Sequence, residues 1–419
     1  MAQLTDDCFA FGGALLTVAD AARLIGERIR PVAGVEQVAL GEAAGRYLAA
    51  PLAAPIPLPP FANSAVDGYA VAHAALGAGE TRLRLAGRVA AGQDPAGMGV
   101  AAAAGAAIRV FTGAPMPPGA DTVFMQEDVR LEGGAVILPP GLKRGANARD
   151  AGEDLAKGAL ALPEGRLLRP QDLAMAAALG QTRLTVRSRI RVGVFSTGDE
   201  LADPGAPLPP AAIHDSNRVM LMALCARAGA EVTDLGIVRD RKAELASRLK
   251  AAAAECDLIL TSGGVSTGEE DHVKPAVEEV GSLVFWRIGV KPGRPVALGV
   301  IDGAAFVGLP GNPVAVFVTF AFIVRPLLAR LAGGEWVEPR RIPVTSGFAY
   351  RKKPGRREYV RVRLEPRPDG GFLALKHPRD GAGVLSSLTE TDGLVELPEE
   401  RTALAEGETA AFIAYSDLG

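Results

Sequence analysis

The chain has 419 residues, with 45 Lys and Arg against 48 Asp and Glu, so its formal charge is −3. This near-neutral balance gives no electrostatic reason to expect a nucleic acid or an anionic membrane as the main partner. With 48% hydrophobic and 22% charged residues the composition is that of a globular protein. At about 100–200 residues per domain, the length predicts two to four domains.

The cysteines and histidines argue against a zinc site and a disulfide framework. The three cysteines form no CxxC pair, and the four histidines are far apart in the chain. The first residues are acidic where a signal peptide would be basic, and the apolar run Val314–Val324 is shorter than the roughly 20 residues that cross a bilayer. We therefore expect a cytoplasmic protein.

Residues 189–330 alternate short apolar runs with helical patterns. This alternation predicts a doubly wound α/β domain with a parallel sheet and helices on both faces. The predicted strands are Ile190–Phe195, Glu231–Val238, Asp257–Thr261, Leu283–Val290 and Ala304–Gly308. The predicted helices are Asn217–Ala228, Arg241–Glu255, a segment ending at Val280 and one beginning near Pro313.

The flanking residues differ from this pattern, so the fold class is multidomain α/β. Residues 51–154 contain short strand-like runs between Gly and Pro turns and predict a β-rich domain. Residues 1–50 and 155–188 have helical patterns, and we expect them to form one helical linker and dimerisation body into which the β-rich domain is inserted. Residues 331–419 again favour strands and predict a β-barrel or sandwich.

The residues that follow the predicted strands of residues 189–330 are the first candidates for a site, because ligands bind at the carboxyl ends of parallel strands. These residues are Ser196, Thr197, Gly198, Glu200, Asp240, Ser262, Gly263, Gly264, Ser266, Asp271, Lys291, Arg294, Pro310 and Pro313. Glycines, hydroxyls and cations at such an edge suit a phosphorylated ligand. Carboxylates beside phosphate repel it unless a cation joins them, so Glu200, Asp240 and Asp271 suggest Mg²⁺.

Each of these residues also has a purely structural interpretation. Asp240 and Asp215 both precede helices and, taken singly, are better explained as N-caps. Glu200 could be a solvated loop acid, and Lys291 and Arg294 could be ordinary surface cations. The functional interpretation depends on their joint placement after successive strands.

Two loops and a boundary acid lie outside this region. Residues 59–70 form a turn-rich loop with Asp67, and residues 111–121 form a Pro- and Gly-rich loop with Thr112. Asp154 ends the predicted β-rich domain. Turns and linkers explain these features equally well.

Nine segments in this chain occur in a characteristic order. They are NSAVDGYA, FTGAPMPPGADTVFMQED, GANARDAGEDL, FSTGDEL, DSNR, GIVRD, TSGGVSTGEEDHVK, VKPGRP and GLPGNP. Together they resemble the molybdopterin molybdenumtransferase family, to which the E domain of gephyrin is related. The resemblance covers nearly the whole chain.

The resemblance implies an activity, cofactors and partners. It implies that adenylylated molybdopterin and molybdate are the substrates, and that AMP and molybdenum cofactor are released with the help of Mg²⁺. It also implies a homodimer whose active site lies between the molybdopterin-binding α/β domain of one subunit and the first and last domains of the other. The molybdopterin adenylyltransferase and apo-molybdoenzymes are the expected protein partners.

The resemblance also implies site residues. Asp67, Thr112, Glu200, Asp240, Asp271 and Lys291 match functional positions, and Asp154 matches a further acid that we expect at the metal. Pro310 and Pro313 match the paired prolines of the GLPGNP segment. The chain departs from the family pattern at Arg287 and Arg294, where lysines are common, and at Ala382, where a serine is expected. Arg287, Arg294 and Arg361 are candidates for binding molybdate.

Three alternatives stay open from the sequence. The adenylyltransferase that makes the adenylylated pterin shares the SGG loop but normally has a single small domain. A scaffold protein like gephyrin would use an additional domain and a long linker. A relative that handles tungstate instead of molybdate is not distinguished by any residue.

Overall fold

The structure is a computed structural model that describes residues 4–5, 15–264, 272–293 and 296–418. It contains a six-stranded α/β sheet, a second six-stranded sheet in the predicted β-rich segment, and a third built from the C-terminal residues. The multidomain α/β fold is thus as expected. The residue boundaries of the four predicted domains stay a prediction.

The α/β sheet is mixed, which corrects the prediction of a parallel sheet. Four neighbouring strands are parallel, while the last two strands run antiparallel to their neighbours. In spatial order the strands are Glu231–Val238, Arg191–Thr197, Leu258–Ser262, Ala304–Leu309, Val296–Ile301 and Gly281–Trp286. The helices are Ser216–Arg227, Lys242–Glu255, Val273–Val280, and the segments Pro313–Thr319, Phe320–Val324 (a π-helix) and Arg325–Leu331.

The predicted strand Leu283–Val290 is wrong. The real strand, Gly281–Trp286, pairs with Val296–Ile301, which the sequence analysis missed. Val290–Lys291 leaves this sheet and pairs in parallel with Arg357–Glu358 of the C-terminal sheet. A continuous apolar run cannot show where one strand ends and another sheet begins.

The C-terminal residues form a closed barrel of five strands. Closure follows because one strand, Arg357–Pro366, pairs with both Phe372–Lys376 and Gly393–Leu397. The remaining strands of the barrel are Ile342–Ser346 and Thr409–Ala414. A closed barrel has no free edge within its ring, and here Val290–Lys291 adds to one end of the shared strand.

The β-rich segment contains the sheet Thr122–Met125, Gly68–Val71, Ala106–Val110, Thr81–Val89, Ala135–Leu138 and Arg130–Glu132, in spatial order. Three nested antiparallel pairings join the chain before this sheet to the chain after it. They are Val35–Ala39 with Arg183–Arg187, Leu52–Ala53 with Leu160–Leu162, and Asn63–Ser64 with Ala148–Arg149. These pairings explain how the two flanks share one body.

Two helices were predicted for that body, and both are present as Val18–Arg28 and Pro170–Ala178. The first of them packs differently from the prediction. Its buried face, which includes Ala21 and Ile25, joins the same hydrophobic core as Val307 and Leu327 of the α/β domain.

The helical stretch Pro313–Leu331 is the segment of the described chain that is long and apolar enough to cross a membrane. Its most apolar window is 83% buried inside the molecule. It is therefore explained as a core helix, since the α/β sheet and the helix Val18–Arg28 cover it.

Arg218 ties the start of the helix Ser216–Arg227 to a loop, at Asp203, and to the strand Glu231–Val238, at Asp234. Asp215 caps the helix by accepting a hydrogen bond from the Arg218 backbone N–H at 3.2 Å, which confirms its interpretation as an N-cap. The Arg218 guanidinium donates to Asp215 at 2.9 Å and also pairs with Asp203 and Asp234. Arg218 and Asp215 are both buried.

We expect Arg218→Met to lower the free energy of unfolding by about 3–5 kcal/mol, because the buried carboxylate of Asp215 would lose its partner. Urea denaturation followed by the fluorescence of the buried Trp286, in a Trp336→Phe background, measures this change. Arg84→Gln, an exposed arginine of the β-rich sheet, is the control and should shift stability by less than about 0.5 kcal/mol. An Arg218→Met protein as stable as the control would contradict the role given to this cluster.

Candidate active site

The carboxyl ends of the parallel strands carry buried hydroxyls. Ser196 and Thr197 are the last residues of one strand, and Thr261 and Ser262 end its neighbour. All four are at most 3% exposed. Within the described ranges, Ser196 Oγ, Thr197 Oγ1 and Thr261 Oγ1 have no hydrogen-bond partner. Buried polar groups are normally paired, so this edge has an unused capacity to bind a polar ligand.

Two glycines bring the next loop close to this edge. A Cβ on Gly263 would lie 2.5 Å from the backbone oxygen of Thr197, and one on Gly264 would lie 2.4 Å from Val273 Cγ2. Both residues also have positive φ angles, of 91° and 63°. Glycine is therefore required at both positions, as the SGG motif suggests. The third predicted glycine, Gly198, lies beside the carboxylate of Glu200.

Acidic side chains gather beside these strand ends. Asp240 lies within electrostatic range of Asp199, Glu200 and His272. Burial raises the pKa of Asp240; His272 opposes this rise, and the charges of Asp199 and Glu200 add to it. Asp240 Oδ1 is buried without a partner among the described residues. The N-cap interpretation of Asp240 is wrong, because Arg241 occupies the cap position of the helix Lys242–Glu255.

Three predicted site residues, Ser266, Asp271 and Arg294, lie outside the described residues. Their placement therefore stays a prediction. Among the residues that the structure describes, no three His, Cys, Asp or Glu side chains come close enough together to hold a metal ion. His272, the neighbour of Asp271 in sequence, does interact with Asp240.

The GLPGNP segment connects the strand ends to the barrel. Asn217 Nδ2 donates to Ser262 Oγ at 2.8 Å and to the Gly311 carbonyl at 2.7 Å. Ser262 Oγ in turn donates to the Pro310 carbonyl at 3.3 Å. Pro313 begins the helix Pro313–Thr319, where a proline costs no hydrogen bond. The next residue of that helix donates its backbone N–H to Ala382 of the barrel region at 3.0 Å.

A cavity of about 230 Å³ lies between these segments and the barrel; we call it the barrel cleft. Lys291, Pro310 and Arg361, all predicted from sequence, line it together. Ala382 also lines the cleft, where the family pattern has a serine. Arg287 is exposed in the residues between the two sheets and is not among the lining residues of this cleft.

Glu358 is the centre of the polar network in the barrel cleft, and the sequence analysis missed it. It is 1% exposed and accepts from Lys291 Nζ at 3.1 Å, from the Tyr350 hydroxyl at 2.8 Å and from Arg356 Nε at 2.6 Å. Burial by itself would raise the pKa of Glu358, but these hydrogen bonds and charges outweigh burial and lower it. The carboxylate is therefore held ionised, and it fixes Lys291 at the cleft.

Arg361 supplies a second cation to the barrel cleft. Its side chain is 6% exposed, and its Nη2 donates to the carbonyls of Arg379 and Gly381 at 3.0 and 3.3 Å. Its Nε is buried with no partner in the described chain. Burial lowers the pKa of Arg361, although a guanidinium stays charged. Arg361 is thus a buried cation whose Nε–H donor is accepted by no described residue.

Asp67 and Thr112 form a separate group on the β-rich sheet. The Thr112 backbone N–H and its hydroxyl both donate to Asp67 Oδ1 at 2.8 Å. These bonds lower the pKa of Asp67. The other charge acting on it is Arg109, which also stacks on Tyr69 and Phe111 of the same sheet. Among the described residues, the hydrogen-bond and charge partners of Asp67 and Thr112 thus lie within residues 51–154.

Asp154 is exposed, and its backbone N–H donates to the Leu58 carbonyl at 3.0 Å. This bond fixes the backbone at the boundary of the β-rich segment and leaves the carboxylate exposed.

The structure brings most of the described site residues that were predicted together as three groups: the strand ends, the barrel cleft and the Asp67–Thr112 pair.

Family models match three consecutive parts of this chain. Residues 16–180 match the MoeA N-terminal region (domain I and II), and residues 193–330 match a probable molybdopterin binding domain. Residues 343–415 match the MoeA C-terminal region (domain IV).

Similar proteins share most of their length with the chain. It is 37% identical to a molybdopterin molybdenumtransferase of Haemophilus influenzae, over 91% of this chain and 94% of the relative. It is 34% identical to the molybdopterin molybdenumtransferase of a Nostoc species, over 89% and 87%. A crystal structure of the molybdopterin biosynthesis moeA protein from Pyrococcus horikoshii OT3 superposes with a TM-score of 0.80 at 30% identity, covering 96% of this chain and 100% of that one. The chain belongs to the MoeA family of molybdopterin molybdenumtransferases, enzymes of molybdenum cofactor biosynthesis.

Proposed function

We propose that this enzyme hydrolyses adenylylated molybdopterin at the strand ends and transfers molybdate to its dithiolene sulfurs, releasing AMP and molybdenum cofactor. The observation that carries the proposal is a set of buried oxygens at adjacent strand ends, those of Ser196, Thr197, Thr261 and Asp240, that have no hydrogen-bond partner among the described residues. Such groups are costly unless a ligand satisfies them. The enzyme's family supplies the substrate class, since the relatives are named molybdopterin molybdenumtransferases.

In this proposal the strand ends bind the phosphorylated part of the substrate. Ser196, Thr197 and Thr261 offer hydroxyl donors. Ser262, whose hydroxyl donates to the Pro310 carbonyl, positions the loop beside them. Gly198, Gly263 and Gly264 keep side chains away from the ligand's path. Ser266 would add another hydroxyl to this set. Pro310 and Pro313 hold the GLPGNP loop, whose carbonyls bond Asn217 and Ser262, against the same edge.

The donor chemistry beside the strand ends fits a Mg²⁺ ion. Asp240 has a buried unpartnered oxygen, and Glu200 is near enough to raise its pKa. We propose that Glu200, Asp240 and Asp271 hold the ion, with Asp154 as a further acid. Bound there, Mg²⁺ would neutralise charge on the bridging phosphates. Without Mg²⁺, the carboxylates of Glu200 and Asp240 would repel a phosphorylated substrate. These two acids therefore make substrate binding depend on the cation.

Molybdate is a dianionic substrate and needs cations in a partly dry site. Lys291 and Arg361 line the barrel cleft beside the GLPGNP loop. Glu358 fixes the first of these cations, and backbone carbonyls fix the second. We propose that these two bind molybdate, with Arg287 and Arg294 adding positive charge. Because Ala382 stands where the family pattern has a serine, the cleft wall lacks that hydroxyl. Recognition of molybdate is then left to the cations.

We further propose that the enzyme is a cytoplasmic homodimer. The Asp67–Thr112 pair has its partners within the β-rich sheet, so a second protomer is the means by which it would reach a strand-end site. In that arrangement Asp67 and Thr112 of one protomer complete the site of the other. The adenylyltransferase would deliver the substrate, and apo-molybdoenzymes would accept the product.

We expect Asp240→Asn to slow AMP release by about a hundredfold or more, because a metal-binding carboxylate becomes neutral. Substrate binding should remain, since the hydroxyls and glycines are unchanged. AMP released from purified adenylylated molybdopterin with Mg²⁺ and molybdate measures the effect. Asp128→Asn, an exposed acid of the β-rich segment, is the matched control. Normal AMP release by the Asp240→Asn enzyme would exclude this role.

We expect Lys291→Gln to raise the apparent KM for molybdate by about tenfold, because one charge-assisted contact to a dianion is lost. Reconstitution of an apo-molybdoenzyme at varied molybdate concentrations measures it. Lys353→Gln, which removes an exposed lysine of the barrel region, should leave the KM unchanged. If neither Lys291→Gln nor Arg361→Lys alters the molybdate dependence, the barrel cleft does not bind molybdate.

A mixing experiment tests the shared active site. Asp67→Asn and Asp240→Asn should each be inactive alone. Reassociated as a mixture, they should recover up to about a quarter of wild-type activity, because half of the dimers are mixed and half of the sites in each carry both native acids. Light scattering checks that dimers form. Dimers with no recovered activity would show that both acids act within one subunit.

A further inference from the structure

A second cavity, of about 740 Å³, lies away from the site described above, and we call it the junction cavity. Its walls come from three parts of the chain: Gly45–Tyr47 with residues 163–169, the ends of two α/β-domain helices, and the segment 335–337 that leads to the barrel. None of the residues assigned to substrates lines it.

The walls of the junction cavity carry an excess of positive charge. Four arginines and two glutamates line it. Arg166 and Arg169 both pair with the carboxylate of Asp172, at 2.8 and 3.1 Å. Within the described chain, Arg227 and Arg325 have no carboxylate within ion-pair distance; Arg325 Nη1 donates only to the Asp417 backbone carbonyl, at 2.6 Å. Arg227 and Arg325 thus share one cavity, and neither forms a close ion pair with a described residue.

These two arginines affect each other. Burial lowers the pKa of Arg325 and the charge of Arg227 adds to this effect, while Tyr47 and Asp417 oppose it without reversing it. Like charges in a partly buried cavity are unfavourable, and an anion between them would relieve the repulsion. Guanidinium groups bind phosphate through paired N–H donors, which suits a doubly charged group.

The cavity also offers unused donors and an aromatic wall. Trp336 Nε1 and Arg166 Nε are buried, and neither has a hydrogen-bond partner in the described part of the chain. Tyr47 packs so closely against Gly334 that a Cβ there would lie 2.1 Å from its ring. This contact holds the segment that carries Trp336 against the cavity. A ligand with polar atoms and a flat or sugar-like body would satisfy these groups.

We propose that the junction cavity binds an organic phosphate monoester, with its phosphate between Arg227 and Arg325 and its body against Tyr47 and Trp336. The volume is in the range of about 300–1,000 Å³ typical of small-molecule sites. Because the ligand would touch all three walls, its binding links the first domain, the α/β domain and the barrel segment. Ligand binding should therefore raise the thermal unfolding midpoint.

The two tryptophans make a local test possible. Trp286 is 1% exposed in the α/β core, whereas Trp336 lines the junction cavity. Intrinsic fluorescence of the full chain is titrated separately with ribose 5-phosphate, AMP and inorganic phosphate. We expect a saturable change with at least one ester, at concentrations where inorganic phosphate gives little change. The change should disappear in Trp336→Phe.

Matched variants assign the signal to the cavity. Arg227→Gln should weaken ester binding by at least about tenfold, while Arg84→Gln should not. Arg325→Lys keeps the charge but loses the paired donors, and it tests the second cation if Arg325→Gln fails to fold. Ser196→Ala, which removes a hydroxyl donor at the strand ends, should leave the Trp336 response unchanged, which separates this cavity from AMP binding at the strand ends.

Three outcomes would overturn the proposal. The first is no response of Trp336 to any of the three probes. The second is equal binding of inorganic phosphate and both esters, which would show that the body of the ligand is not recognised. The third is ester binding that Arg227→Gln and Arg325→Lys both leave unchanged.

Discussion

The pairing of Val290–Lys291 with Arg357–Glu358 is the contact on which the site depends. Val290–Lys291 follows the α/β-sheet strand Gly281–Trp286 in the chain, but it pairs with a strand of the barrel. The Lys291–Glu358 ion pair lies across this pairing, with the carboxylate buried and the ammonium half-exposed. The barrel has an interior core of its own, but Tyr359, Leu394 and Ile413 also belong to the hydrophobic core of the α/β domain. The barrel cleft is lined by residues of both domains, which backbone pairing and a charged contact also join at this point.

At the strand ends, buried polar groups without partners lower the stability of the fold. Three hydroxyls and one carboxylate oxygen are buried there without partners in the described chain, although each such group costs about 1–3 kcal/mol. Nearby, the buried Arg218 is surrounded by three acids that satisfy it. The buried Arg218 cluster is thus paired, whereas these strand-end oxygens are not, and proteins accept such a cost at functional sites.

The polar residues of this chain also divide by distance. The strand ends and the barrel cleft are linked through Asn217, the GLPGNP loop and the Ala382 carbonyl. The Asp67–Thr112 pair lies beside another sheet, and its hydrogen bonds fix the carboxylate there. The junction cavity is a fourth polar region, and its charge excess is of the opposite sign to that of the acidic cluster at Asp240.

Much of the α/β fold could be predicted from the sequence, because strands and helices alternate and their hydrophobic periodicities differ. Helices such as Ser216–Arg227 and Lys242–Glu255 lie within one residue of their expected bounds. Asp240 was recognised through its position after a strand. Local sequence did not reveal that Val296–Ile301 is a strand, because a continuous apolar run carries no period that tells one buried element from the next.

Sequence alone determined the family, the α/β and β-rich character of the segments, and which loops carry polar side chains, because motifs and periodicity are local properties. Tertiary structure decided that Glu358 fixes Lys291, that Arg361 and Lys291 share a cleft, and that Arg227 and Arg325 face one cavity. Each of these contacts joins residues many tens of positions apart. Whether such distant charges meet depends on how sheets and domains pack, and that packing is set by the sum of many burial interactions rather than by any one segment.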